Sequence, residues 1–260
     1  MINRVLVFLY RMKDRLGLNG DEVGKWFYLL FKNALKRKYL VSETEEHWIF
    51  RFNGRSIALR RNDLADISVF WQVIDRRIYD FPLKLRRSPK HVVDCGANIG
   101  LSAVYFADKF ADAKVYGFEI DRDNFSLLKK NAEPFGKRIV PTNAGVYKED
   151  GRLFFQKGDY NYSHKLATSG TRTIDTLSVG TITEKFRIDF IDILKIDIEG
   201  GEYELTDNLD RFLPKVGCLM IEFEDPHKNK PKVDAFKQKL HKNNFTYFGS
   251  RLNVDCYIRP

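Results

Sequence analysis

Apolar residues change their spacing three times along this chain of 260 residues. Through the first 40 positions they recur at helical intervals, as in "KWFYLLFKNALKRKYL" (Lys25–Leu40). The pattern breaks at "GLNGDE", where Gly17, Gly20 and a capping Asn19 or Asp21 separate two predicted helices. "HWIFRFNGRSIALR" (His47–Arg60) then gives two β-rich runs around Asn53-Gly54, the strongest short-range hairpin signal. "ADISVFWQVIDRRIYDF" (Ala65–Phe81) returns to helical spacing through Ile67, Phe70, Val73, Ile74 and Ile78. Pro82, Arg86, Arg87 and Pro89 mark a basic linker.

Beyond residue 90 strands and helices alternate, which predicts a mostly parallel α/β sheet. "HVVDC", "KVYGFEI", "RIVPTNAGVY", "FIDILKIDIE" and "GCLMIEFE" read as strands, with "RLFFQKG" as an edge strand or hairpin. Helices are expected at Gly100–Phe110, Asp123–Phe135, around Glu202–Phe212 and at Lys232–Lys242. "YNYSHKLATSG" (Tyr160–Gly170) reads as a polar loop, and "FTYFGS" with "NVDCYIR" as a closing antiparallel pair.

One strand raises a chemical question. In "DFIDILKIDIEGGEYE" (Asp189–Glu204), Lys195, Asp197 and Glu199 interrupt an apolar run at every second position. Successive side chains of a strand face opposite ways, so these three share a face. Buried charges are costly unless paired, so Lys195 is expected to pair with a nearby carboxylate, Asp94 or Asp197. A buried ion-pair cluster without chemistry is the plain alternative.

Composition narrows the class. The chain is 43% hydrophobic, which is ample for a core. Three cysteines without a CxxC pair argue against a disulfide framework or zinc site and fit a reducing, cytoplasmic compartment. The first 90 residues carry 19 Lys and Arg against 10 Asp and Glu, whereas the remainder carries 25 of each. The excess charge of +9 therefore sits in the N-terminal third and suits an anionic partner or a solvated basic face. "VLVFLY" (Val5–Tyr10) is too short for a signal peptide or a spanning helix. Residues 1–40 could lie on a membrane surface or pack as an amphipathic helix.

In open α/β sheets, ligands bind beyond the carboxyl ends of the strands. Here those ends read "DCGANIG", "FEID", "NAGV", "DIEGGE" and "EFEDPH", with Asp94, Glu119, Asp197, Glu199, Glu222, Glu224 and Asp225 among them. "DCGANIG" has one glycine fewer than a dinucleotide loop, and an acid that can accept bonds from a ligand ammonium. Glu119, 19 positions beyond Gly100, stands where a ribose diol is held. An ammonium at one end and a ribose at the other describe S-adenosylmethionine.

"VVDCGANIGLSAVYFA", "VYGFEIDRDNFSLLKKN", "NAGV" and "ILKIDIEGGEYEL" together resemble the FkbM-type family of class I S-adenosylmethionine-dependent methyltransferases, over about Asn62–Glu224. The resemblance implies a Rossmann-like sheet of order 3-2-1-4-5-7-6 with an antiparallel last strand. Residues 1–88 would be a basic helical and hairpin extension, serving as lid or substrate platform, and 89–260 the methyltransferase domain. It also implies that Asp94, Gly96, Asn98 and Gly100 surround the methionine part. Glu119 would hold the ribose, with Ile120 against the adenine and Asn143 and Ala144 along its edge. Asp197 would face donor and acceptor. Two positions depart from the pattern: Ile120-Asp121 replaces a common proline, and Gly201 a common alanine.

Methyl transfer from a sulfonium needs chiefly proximity and alignment, plus a base when the acceptor is a hydroxyl. Asp197, Glu199 and His227 are the candidate bases, and His164 is a weaker one. No metal-ligand spacing stands out. The expected acceptor is a small molecule or glycan, sugar-bearing and methylated on oxygen, with Tyr160 and Tyr162 placed to stack on a ring. The basic third suits an anionic one. An RNA methyltransferase, a nicotinamide-dependent dehydrogenase and a non-catalytic scaffold are the rival readings. The first lacks an RNA-binding module, and the second a third glycine.

Overall fold

The computed structural model describes residues 32–61, 63–83, 87–156, 165–167 and 172–259. The expected first helix, the start of the second, and Tyr160, Tyr162 and His164 lie outside them. The chain divides into two compact units at Trp71/Gln72.

The first unit continues from helical residues 32–39 into a three-stranded antiparallel sheet: β1 (Leu40–Glu43), β2 (His47–Phe52) and β3 (Arg55–Arg60). β1 is a strand that the sequence pattern does not announce. Asn53 and Gly54, with φ of 46° and 82°, make the β2–β3 turn, where both central residues need the left-handed region. Trp48, Phe50, Ile57 and Leu59 form its buried side. Helix α1 (Leu64–Phe70) is N-capped by Asp63 and sets Phe70 edge-on against Phe50 at 4.9 Å. Asp66 is buried on α1 and held by the Arg60 guanidinium, Nε–Oδ2 3.0 Å and Nη2–Oδ1 2.5 Å.

The second unit is built on seven strands: β4 (His91–Cys95), β5 (Lys114–Phe118), β6 (Ile139–Thr142), β11 (Ile191–Ile196), β12 (Val216–Glu222), β13 (Thr246–Arg251) and β14 (Val254–Ile258). Their order is β6-β5-β4-β11-β12-β14-β13, which is 3-2-1-4-5-7-6. β14 runs antiparallel to β12, and β4, β5, β6, β11 and β12 are parallel. This is the Rossmann-like class I methyltransferase sheet.

Helices α2 (Leu101–Lys109) and α3 (Arg122–Ala132) follow β4 and β5. α4 (Val179–Phe186), α5 (Leu209–Phe212) and α6 (Lys230–Lys242) contribute Val179, Ile182, Leu209, Phe212, Phe236 and Leu240 to a core with Val93, Phe118, Leu194 and Ile221. A second, four-stranded sheet has the order β7-β10-β8-β9, from β7 (Gly145–Val146), β8 (Gly151–Gln156), β9 (Lys165–Ala167) and β10 (Arg172–Leu177). The sequence reading passes over β10 and α4 and takes β9 as loop. Two expected helices are also recast: 133–138 becomes a 3-10 turn at Pro134, and 201–208 a 3-10 helix behind Gly200. Among the described residues no helix is long and apolar enough to cross a membrane. Cys95, Cys218 and Cys256 are free and buried.

Candidate active site

Strand register builds the centre of the site. Lys195 on β11 stands opposite Asp94 on β4 and Met220 on β12. Alternation puts all three on one face, and the next positions on that face are Asp197 and Glu222. Lys195 is buried, yet every contact its ammonium needs is present. It reaches the Asp94 carboxylate at 3.1 Å and Asp197 at 3.4 Å, and donates to the carbonyls of Gly96 at 2.6 Å and Cys95 at 3.3 Å. Burial pulls the ammonium down, but the charges of Asp94 and Asp197 outweigh it and leave Lys195 well above the ordinary lysine range. Asp94 is fully buried and also accepts from Ser102 Oγ at 2.6 Å.

The loop after β4 is fitted to the loop after β11. Gly96 has φ +80°, and a Cβ there would stand 1.7 Å from the Asp197 carbonyl oxygen. Asn98 and Gly100 take φ of 51° and 90° and turn the chain into α2. Glu119, one residue beyond β5, is buried and accepts two backbone N–H groups: Asn98 on Oε2 at 2.8 Å and Asp121 on Oε1 at 2.7 Å. Burial pushes its carboxyl up to about 7, against those two bonds. Asn143 Nδ2 donates to the carbonyls of Glu119 at 2.8 Å and Ile120 at 3.1 Å, fixing this turn from the strand beyond. Ala144 is buried beside it.

The ends of β11 and β12 carry the remaining acids. Asp197 is half-buried; its N–H continues the ladder to the Cys95 carbonyl at 3.1 Å. Glu199 and Asp225 have φ of 54° and 44°, so each of these two loops, like the one after β4, turns on a non-glycine residue in the left-handed region. Glu222 sits beside Asp197, and its Oε1 accepts from Asn253 Nδ2. Burial first, then the neighbouring Asp197 charge, push its carboxyl up to about 8.

The structure thus brings Asp94, Lys195 and Asp197 into direct contact and joins Glu119 to the glycine loop. His227 is exposed in the turn after β12 and makes no hydrogen bond or ion pair among the described residues. Three contributors escape the sequence reading. Glu202 is fully buried and clamps two loops, accepting from Gly200 N–H and Glu224 N–H at 2.8 Å each. Tyr79 comes from the segment before β4. Its ring packs on Phe106 at 5.4 Å, and burial, with the charges of Asp197, Asp94 and Glu222 and against that of Lys195, holds its phenol well above the ordinary range. The third is the pairing of Glu222 with Asp197. The signal that finds it is register, since Ile196 pairs with Ile221. Among the described residues no three His, Cys, Asp or Glu side chains are grouped to hold a metal ion.

The chain matches the methyltransferase FkbM domain over residues 94–247, which spans the glycine loop, Glu119, Asp197 and Glu222. It is 27% identical over 170 residues to the hexuronic acid methyltransferase AglP of Haloferax volcanii, covering 62% of this chain and 70% of that protein. It is 23% identical over 181 residues to the methyltransferase sdnD of Sordaria araneosa, covering 55% and 70%. Among solved structures, a methyltransferase from Pyrococcus furiosus is similar with a TM-score of 0.44 at 11% identity, covering 90% of this chain and 96% of that one. The human methyltransferase 10 domain containing protein has a TM-score of 0.45 at 12% identity, covering 93% and 96%. The family match extends over more than half of the sequence, and the chain belongs to the FkbM methyltransferase family of S-adenosylmethionine-dependent methyltransferases.

Proposed function

We propose that this protein transfers a methyl group from S-adenosylmethionine to an oxygen of a sugar-bearing acceptor. The observation that carries the donor half is Glu119. It is a buried carboxyl held up to about 7 by desolvation, with two backbone donors and no ion pair among the described residues. Each of its oxygens keeps a free lone pair. A neutral group with two adjacent donors, such as a ribose diol, satisfies it better than a cation would. When bound, S-adenosylmethionine supplies a methyl carbon already activated on sulfur.

The chain's own residues then bind and align. Gly96, Asn98 and Gly100 let the backbone pass close to the methionine part, and the Asp94–Lys195 pair makes their loop rigid from below. Ile120, Asn143 and Ala144 edge the adenine side. Asp197 faces the transfer side, with Glu199 on the same loop. The sugar acceptor is supported by the hexuronic acid methyltransferase among the relatives.

Calorimetric titration with S-adenosylhomocysteine tests the donor half. Wild-type protein is expected to bind at micromolar concentration. Glu119→Ala is expected to lose about 100-fold or more, since two bonds to a charged acceptor, each of about 1.5–3 kcal/mol, disappear. Absence of wild-type binding sinks the reading. Label from a tritiated donor, retained on hexose or hexuronic acid glycosides through mild alkali, identifies ether formation at a hydroxyl. Label lost as methanol would move the reaction to a carboxylate.

A further inference from the structure

Glu222 stands among the rim acids without a role assigned to it, yet its surroundings are unusual. The face it shares with Lys195 and Asp197 holds three carboxyls, Asp94, Asp197 and Glu222, against one ammonium. Lys195 already divides itself between Asp94 at 3.1 Å and Asp197 at 3.4 Å. Glu222 is left with Asn253 on Oε1 and with the charges of Asp197, Lys195 and Glu224 around it, and it acts in turn on the phenol of Tyr79. The face thus holds more carboxylate charge than its one ammonium balances.

Strand order says where a second cation arrives. With the ribose at Glu119 after β5 and the methionine part along the loop after β4, the donor lies across the ends of β5 and β4. Its sulfonium, which joins the two parts, then stands at β4, beside the β11 end that carries Asp197, with Glu222 one strand further.

We propose that Glu222 takes the acceptor's proton, and that the Asp197–Glu222 pair holds one proton in the donor-free protein and gives it up when the sulfonium binds. The proposal rests on the donor reading above. In the reaction the acceptor oxygen forms its bond to the methyl carbon as the carbon–sulfur bond breaks. The bonding pair goes to sulfur, which becomes a neutral thioether, and the acceptor's proton goes to the Glu222 carboxylate. Loss of the positive charge restores the condition in which the pair keeps a proton, so the proton taken resets the site.

In the donor-free protein the carboxyl of Glu222, up to about 8, is mostly protonated at neutral pH. A cation favours the ionised form, so S-adenosylmethionine binds more tightly as pH rises through that range, whereas S-adenosylhomocysteine, whose sulfur is uncharged, does not gain from this group. A shift of one unit corresponds to an affinity change of about tenfold. Glu119 titrates lower and meets the same ribose in both ligands, so it cancels from the difference.

The test is calorimetry of the full-length protein with S-adenosylmethionine and, separately, S-adenosylhomocysteine, from pH 6.5 to 8.5 in two buffers of unlike ionisation enthalpy. The expected result is extra proton release and about tenfold extra tightening for S-adenosylmethionine. Glu222→Gln should bind both ligands and lose that extra release. The ligands' own amino groups contribute alike to wild type and variant. Asp197→Asn is a second, milder variant, and in it the change should move to lower pH. Equal proton release by the two ligands, or a difference that survives Glu222→Gln, overturns the proposal. Binding of neither ligand to the wild type takes down the donor reading and this proposal with it. Binding of both without the difference takes down this proposal alone.

Discussion

Glu119 stands just beyond β5 and Glu222 ends β12, with β4 and β11 between them, and both carboxyls are held above the ordinary range by burial. What surrounds them differs. Glu119 is met by backbone N–H groups of Asn98 and Asp121, so the fold itself aims it, and the like charge of Asp121 acts on it less than these two bonds do. Glu222 is met by side chains, and after burial its largest influence is the carboxylate of Asp197. A carboxyl fixed by backbone is a steady acceptor for neutral donors. A carboxyl balanced between a like charge and a cation responds to any new charge nearby. The difference separates a binding role from a proton-transfer role, although the residue type and the direction of the shift are the same.

The strongest way to break this comparison is to remove the cation that both carboxyls feel. Lys195→Met leaves Asp94 fully buried with only Ser102 for a side-chain partner among the described residues. Removing one member of a buried pair costs about 3–5 kcal/mol. Urea denaturation should show that loss, and the double change Asp94→Asn with Lys195→Met should recover part of it. Glu222 should move further up than Glu119, because Lys195 shares a face with Glu222 on the neighbouring strand, whereas Glu119 lies two strands away. A cost below about 1 kcal/mol would mean that the pair does not hold the strand ends together.

Gly96→Ala acts first on the binding side. Its Cβ would stand 1.7 Å from the Asp197 carbonyl oxygen, and its φ of +80° suits glycine. The loops after β4 and β11 must part, at a cost of about 2–4 kcal/mol. Binding of S-adenosylhomocysteine should fall with it. Unchanged melting and binding would show that the loops have slack.

Much of this was readable from the sequence, for identifiable reasons. β4, β5, β11 and β12 are mostly apolar runs, and alternation alone puts Lys195 and Asp197 on one face. Asp94 and Glu119 stand out because they are acids at strand ends beside glycine. Other parts lack a local signal. β10 alternates Arg172, Thr173, Asp175 and Thr176 with only Ile174 and Leu177, as befits a half-exposed strand of a small sheet. α4 has eight residues, two of them threonine, and leans on the Ser178 cap and on core contacts of Val179 and Ile182. The closeness of Glu222 to Asp197 exists only once β11 and β12 are in register. Tyr79 reaches the site from more than a hundred residues before Lys195, and no spacing in the chain announces that.

The smallest effect gives the finest test of why the two carboxyls differ. Asp121 caps α3, its Oδ1 accepting from Asp123 N–H at 2.9 Å and Asn124 N–H at 3.0 Å. Its own N–H donates to Glu119, and its charge ranks fourth among the influences on Glu119, after burial and the two backbone bonds. Asp121→Ala removes the cap, for a loss of about 1 kcal/mol in thermal unfolding, but keeps the N–H bond to Glu119. Glu119 should therefore come down only slightly, because burial is untouched. In Asp197→Asn, by contrast, Glu222 loses its second-largest influence and should come down clearly. Carboxyl carbon NMR titration of both variants reads the two shifts side by side. If Glu119 fell to the ordinary range in Asp121→Ala, a neighbouring charge and not burial would be holding it up, and the distinction between the two carboxyls would collapse.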